Sequence, residues 1–596
     1  MFAAQAIHPD GSASHSVVHT PKPRGFVQHV QVYVAKLARI WLSLQVSHHG
    51  GEYSMERFVA LDEYVQQSSQ VRVLMVCLGT PLPMIIFTVL QEVVPLQELS
   101  EGWLYNYGFW IRYALLGGVL THAIGVHGTY MIGGVTFSTA QLVLLDLLVA
   151  IGFVPISGAI AAFWAFPIPF VQISTNMIFI TMVLVSFRGI ISREAFYQLL
   201  SRRTQLLRYL SFLLVQVFMT IVYPSYQVLF DFAADTGYEL AVFLLLPVIK
   251  IVMKNVLSLA VSHMEDLIPE TVIFTVDFFN ALYLATCMQR ATSSITVAVV
   301  VVIDLTQTAF ALHRLHRHTK TILARLRQAL EAKTTCSRVD LLSSIRALYD
   351  NPRKLKRQTR GNIRVYSCMP HRLTKAGTGH LGNLHRQTSM KGNTQFILPF
   401  SLSSYSDLLH SDECKAGFDS ARFSKPTKWF QHGSASVKPV KNPQLDSTQP
   451  LGNRKVIAVN GTDRRNAEEF VLHQTLEVLF TSECLLLAEY LEVVIPLLYG
   501  NYVLMMVNLP NAKYHTELAG ITREHVGPTV QTVFVYALLE FVSFAVLIAV
   551  LQRDCGVKGL YQLAFVLETH MPLVQTKLVS WVLITLSYRV IHFGKL

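Results

Sequence analysis

Charge is scarce in this chain: Asp, Glu, Lys and Arg make up 15% of its 596 residues, apolar types make up 52%, and the mean hydropathy is +0.39. That composition excludes an ordinary soluble globular protein, and the length is too great for a single membrane span. Cysteine is thin as well. Cys77, Cys287, Cys336, Cys368, Cys414, Cys484 and Cys555 are scattered, with no CxxC and no Cys/His spacing that suits zinc. They read as reduced thiols, which excludes a disulfide framework and a zinc site, and adjacent His48 and His49 add little. No GxSxG, HExxH, Walker A loop or kinase signature occurs, so neither an enzyme nor a cofactor is expected. Met1–Gly25 is polar and lacks the apolar core of a signal peptide, so insertion is expected through the chain's own first span.

What the chain does have is apolar runs of membrane-crossing length, and the fold class that follows is an all-α polytopic integral membrane protein. Eight N-terminal spans are expected within 71–312, at about Val71–Val94, Phe109–Tyr130, Ala140–Phe163, Pro169–Phe187, Leu207–Phe230, Glu239–Val261, Thr271–Met288 and Ser293–Leu312. Pro81-Leu82-Pro83 should break the first. A C-terminal unit, 471–596, should add about three more, around Cys484–Leu509, Thr529–Leu551 and Pro572–His592, for about 11 transmembrane helices in an 8 + 3 arrangement. Ahead of the first span, 1–70 reads as a cytoplasmic segment with an amphipathic helix near Phe26–Val46.

The formal net charge of +12 has one source. Arg314–Phe470 holds 28 Lys/Arg against 11 Asp/Glu, which is +17, and leaves −5 for the remainder. Within it, 313–350 reads as a cytoplasmic amphipathic helix and 351–470 as a basic disordered cytoplasmic linker rich in Ser, Thr, Gly, Asn and Pro. The linker suits anionic lipid or a cytoplasmic protein, and with no folded module to read bases no specific nucleic acid is expected. Arg386-Gln-Thr-Ser389 has the spacing of a basophilic kinase site, and Asn460-Gly-Thr462 is a glycosylation pattern on the wrong side of the membrane. The second basic loop, with Arg188, Arg193, Arg202, Arg203 and Arg208, agrees with a cytoplasmic N-terminus and a cytoplasmic 313–470.

The most informative stretch is Cys484–Leu509. At ~1.5 Å per residue, Leu485–Leu509 covers roughly 37 Å, enough to cross a core of about 30 Å. Its thirteen Leu, Ile and Val residues gain roughly 4–8 kcal/mol on an insertion scale, and two central glutamates at ~2.5–3.5 each nearly cancel that. Glu489, Glu492, Pro496 and Tyr499 fall on one helical face about 80° wide, so that face needs partners other than lipid. With Glu540 and Lys577 in the two following spans, Glu489, Glu492 and Tyr499 form a candidate ion or proton pathway; the alternative is packing, with neutral carboxyls bonded to neighbouring helices. Lys250 and Lys254 share another helical face, and Asp277 and Asp304 in the next two spans are their candidate ion-pair partners. No metal ligand set is expected.

Tyr53–Arg57 with Tyr64, the run from Arg72-Val73-Leu74 to Pro81-Leu82-Pro83, Glu101-Gly102-Trp103, Phe109-Trp110-Ile111-Arg112, Glu489-Tyr490 with Pro496 and Tyr499, and Leu509-Pro510-Asn511 together resemble a group of multi-span membrane proteins of oomycetes. The resemblance implies membrane location and carries no catalytic or ligand-binding residue. The function expected is transporter- or channel-like movement of an ion or small solute by the intramembrane carboxylates. The alternative is a membrane scaffold or signalling receptor that works through its basic linker.

Overall fold

The computed structural model describes residues 53–133, 137–233, 236, 238–291, 294–329, 341–342, 346, 364–369, 371–375, 377–379, 381–382 and 471–594. The amphipathic helix near Phe26–Val46, His48-His49, Arg386–Ser389 and Asn460 lie outside them.

Among the described residues every named element is a helix, and serine sets several of the starts. Ser54 accepts the Arg57 amide and opens α1, Met55–Gln67; Ser69 accepts the Arg72 amide and opens α2, Gln70–Gly79. Leu82–Val93 follows as α3 after the break at Pro81-Leu82-Pro83, since proline has no amide to continue α2 and is tolerated only in a first turn. Then come α4 (Tyr107–Met131), α5 (Thr139–Phe163, opened by a Ser138/Gln141 capping box), α6 (Asn176–Ile190), α7 (Arg193–Ser201) and α8 (Arg203–Ala233). They are followed by α9 (Glu239–Val261), α10 (Glu265–Arg290) and α11 (Ser294–Ala329). Beyond the linker lie α12 (Val471–Met506), α13 (Val526–Val550), α14 (Gly559–Thr569) and α15 (Met571–Ser587).

Eight of these stretches are long and apolar enough to cross a membrane: α2 with α3, α4, α5, α8, α9, α10, α11 and, after the linker, α13. Their outer faces agree with that. Along α2 and α3 the exposed residues Val71, Met75, Leu78, Leu82, Ile86, Leu90 and Val93 recur at steps of three and four, a continuous apolar stripe that water would not tolerate and lipid would. The expected fourth span is shorter than drawn: α6 begins only at Asn176 and has 15 residues. The expected last span is the 17-residue α15. The Cys484–Leu509 stretch belongs to α12, which begins well ahead of it at Val471 and carries Glu477, Glu483, Glu489 and Glu492.

The 8 + 3 division does not appear as two bodies, because Gly50–Leu596 forms one compact unit. At its centre is α10, whose apolar window is entirely buried and which packs against α8, α9, α12, α13 and α15. The C-terminal helices therefore complete a core begun by the N-terminal ones. Part of the expected linker is also folded: the described residues of 364–382 lie against α1, bonded to Glu56 and Glu63.

Candidate functional site

The carboxylates collect where α10 meets α9 and α12. Lys250 and Lys254, one turn apart on α9, both reach Asp277, which ends a π turn over Ile273–Asp277 in the buried helix α10. Lys250 Nζ lies 3.2 Å from Asp277 Oδ1 and 2.6 Å from Glu492 Oε1, and Lys254 Nζ lies 2.9 Å from Asp277 Oδ2. Lys250 thus bridges two acids on two helices. Glu489, one turn before Glu492, accepts hydrogen bonds from Thr308 Oγ1 of α11 (3.1 Å) and Ser543 Oγ of α13 (2.8 Å). Glu540 comes from α13, and one oxygen from each of Glu489, Glu492 and Glu540 lies within 4.8 Å of the others. Asp304 of α11 stands beside Glu540 and accepts the Tyr536 hydroxyl at 2.7 Å.

Asp277, Glu489, Glu492 and Glu540 are all at most 6% exposed. Five carboxylates with two lysines would hold three net negative charges if all ionised, and protons or a cation would neutralise so small and largely buried a cluster. Pro496 adds a further acceptor. It lacks the amide that would bond the Glu492 carbonyl four residues back, so that carbonyl has no helical donor from position 496. The set of three glutamate oxygens, with hydroxyls behind one of them, matches the oxygen-only ligation of hard cations and the sharing of a proton between carboxyls alike.

Two residues assigned to this pathway from the sequence sit elsewhere. Lys577 was counted against Glu489, Glu492 and Glu540, but its Nζ pairs with Glu270 Oε1 on α10 at 2.9 Å, with His570 Nδ1 at 3.3 Å from the other oxygen. Tyr499 shares the helical face of Glu489 and Glu492 but is two turns on, where its hydroxyl bonds Gln289 and Glu517. The helical-face argument placed Tyr499 in angle and left its depth open.

Two further buried polar layers flank the carboxylate cluster. In the layer nearer α1, Arg57 of α1 bonds Glu483 of α12 at 2.6 Å and the Asp266 carbonyl of α10 at 2.5 Å, while Tyr53 also donates to Glu483. Burial works against the Arg57 charge, yet Glu483, Tyr53 and Asp266 together outweigh it and hold the guanidinium more firmly protonated than usual. In the opposite layer, Arg112 pairs with Glu92 at 2.9 Å, His515 Nε2 approaches Glu92 at 3.1 Å, and Arg589 pairs with Glu517. Glu92, Glu270, Glu483, Glu517 and Arg589 were missed because each lies at or beyond the edge of an apolar run, where a charge looks solvated. The signal available was the number of charges crowded at those edges.

The chain matches no protein-family model, no curated protein and no solved structure with which it was compared.

Proposed function

We propose that this protein carries protons or a small inorganic cation across a membrane, with Glu489, Glu492 and Glu540 as the binding carboxylates. The observation that supports the reading is the convergence of those three buried oxygens, from two helices, within 4.8 Å. Lys250 gives the site a way to exchange its charge. Its ammonium acts as a tethered cation between Asp277 and Glu492; a proton or ion arriving at Glu492 takes over that neutralising role, and Lys250 stays with Asp277. In this reading α6, α12 and α15 cross the membrane with the eight stretches named above, for eleven spans, and the α1 end faces the cytosol because the basic loops lie on that side. The resemblance to oomycete multi-span proteins supports membrane residence alone.

The test is flux in liposomes containing the purified full chain, with imposed pH and cation gradients, comparing the native protein with Glu489→Gln/Glu492→Gln. Native flux, lost in a double variant that still purifies as a folded particle, is the expected result. Absence of flux of protons and simple ions from folded native protein, or flux that the double variant retains, would overturn the assignment.

A further inference from the structure

The described part of the linker is bonded to the membrane core by an interlocking set of contacts centred on Ser367. The first two free amides of α1, those of Met55 and Glu56, donate to the carbonyls of Arg364 (2.9 Å) and Val365 (3.0 Å), so the linker satisfies donors that a helix start leaves open. In return the Glu56 carboxylate accepts the amides of Ser367 and His371, each at 2.9 Å. Asp266, at the start of α10, accepts Ser367 Oγ at 2.9 Å and the Cys368 amide at 3.0 Å, and pairs with Arg364 at 3.1 Å. Thr374 is held by Glu63 through its amide and its hydroxyl. Gly377 sits so close that a Cβ there would fall 2.6 Å from Glu63 Oε1 and 3.3 Å from Val59.

This clamp is nearly all polar. Backbone amides and two hydroxyls meet three carboxylates, and such contacts depend on the exact charge present at each position in a way that apolar packing does not. Ser367 is the point where that charge can change. It stands three residues after Arg364, the same basic-residue spacing as Arg386 to Ser389, and its hydroxyl is already engaged with one carboxylate and its amide with another.

We propose that Ser367 is a phosphorylation site and that the described residues of 364–379 form a releasable strap over the start of α10. A Ser/Thr kinase that favours arginine three residues upstream would transfer the γ-phosphoryl group of ATP to Ser367 Oγ, with ADP leaving and the hydroxyl proton passing to the kinase's own base. Ser367 is buried in the docked strap, so the kinase acts on the open form. Once formed, the phosphate cannot return: it would bring about two negative charges to a hydroxyl position 2.9 Å from Asp266 and next to Glu56, where Arg364 is already committed to Asp266 and Glu265. Modification therefore traps the strap open and uncovers Asp266, eleven positions before Asp277 on the same helix. Access by a cytosolic kinase rests on the orientation proposed above; release of the strap by charge at Ser367 does not.

Amide hydrogen exchange on the purified full-length protein tests it. In Ser367→Asp and in Arg364→Met, peptides covering 53–63 and 364–379 are expected to exchange about tenfold faster or more than in the native protein, with α10 to α15 unchanged; Ser367→Ala should stay within about twofold of native. Native-like protection of both peptides in Ser367→Asp would overturn the switch. So would loss of protection throughout the protein, because that makes the strap part of the global fold. A basophilic kinase with ATP is expected to label Ser367 in the native protein, and failure to do so while exchange shows the strap opening would overturn the modification and leave the transport proposal untouched.

Discussion

Arg112 shows what one residue does in a core of this kind. Its guanidinium is fully buried, donates to Glu92 Oε2 at 2.9 Å and at the same time donates to the carbonyls of Glu92 (3.2 Å) and Val94 (2.8 Å), which α3 leaves open at its C-terminus. A planar fork can serve a carboxylate and a helix end together; an ammonium can serve only part of that set. Arg112→Met leaves the buried Glu92 carboxylate with His515 alone and is expected to cost about 3–5 kcal/mol, read as a lower melting temperature in detergent. Adding Glu92→Gln should recover part of that loss, and a double variant melting no higher than Arg112→Met would refute the pairing. Sequence placed Arg112 at the start of a span and could not supply its partner, which lies on another helix across a loop. Lys250, Lys254 and Asp277 were easier to read, since a one-turn repeat on α9 and an acid early in the next span are local patterns. Lys577 was assigned to the wrong acids because Glu270 is the residue just before the expected start of its span and looked like a loop charge.

At the scale of elements, apolar length alone set the outlines of α4, α5, α9 and α13 to within a few residues, and prolines marked the α2/α3 break. The strap was not legible, because its residues read as polar linker: its hold on α1 is made mostly of backbone amides and carbonyls, which no side-chain pattern reports. One of its residues gives it a pH dependence. Burial, with Arg57 and His570 nearby, pushes His371 down to about 3 from a usual 6.5, against a smaller opposing pull from Asp266. A released strap would bind a proton at His371 between about pH 6.5 and 3 that the docked one refuses. Docking is therefore favoured at neutral pH and weakens on acidification by up to roughly 1.4 kcal/mol per unit. Glu56, raised by burial, works in the opposite sense and tempers the slope. Exchange at 364–379 is expected to accelerate, at matched intrinsic rate, as pH falls from 7 to 5 and to lose that trend in His371→Gln; a flat profile in the native protein would count against it.

For the whole molecule, the sequence reading of two membrane units joined by a linker captured composition and missed how the parts share a core. Arg57 needs Glu483, Lys250 needs Glu492, and Glu270 needs Lys577, so three buried ion pairs tie the N-terminal part to the C-terminal part. These contacts are between segments hundreds of residues apart, and hydropathy has no term for them. Expressed alone, residues 1–382 and residues 460–596 should each aggregate in detergent, because each exposes unpaired buried charge. Co-expressed, they should purify as one complex; a monodisperse particle from either piece alone would contradict this account.

The same pairing orders events at the ribosome. Lys250 emerges 242 residues ahead of Glu492, a wait of roughly 12–50 s at the usual pace of translation. During that interval Asp277, only 27 positions later, is the acid that can keep both lysines company in the membrane. When α12 arrives, Glu492 meets the Lys250 ammonium already in place, which favours taking in a segment that would enter lipid poorly by itself. A change at Asp277 should therefore be felt first as failed insertion of α12, a helix not yet made when Asp277 meets its lysines.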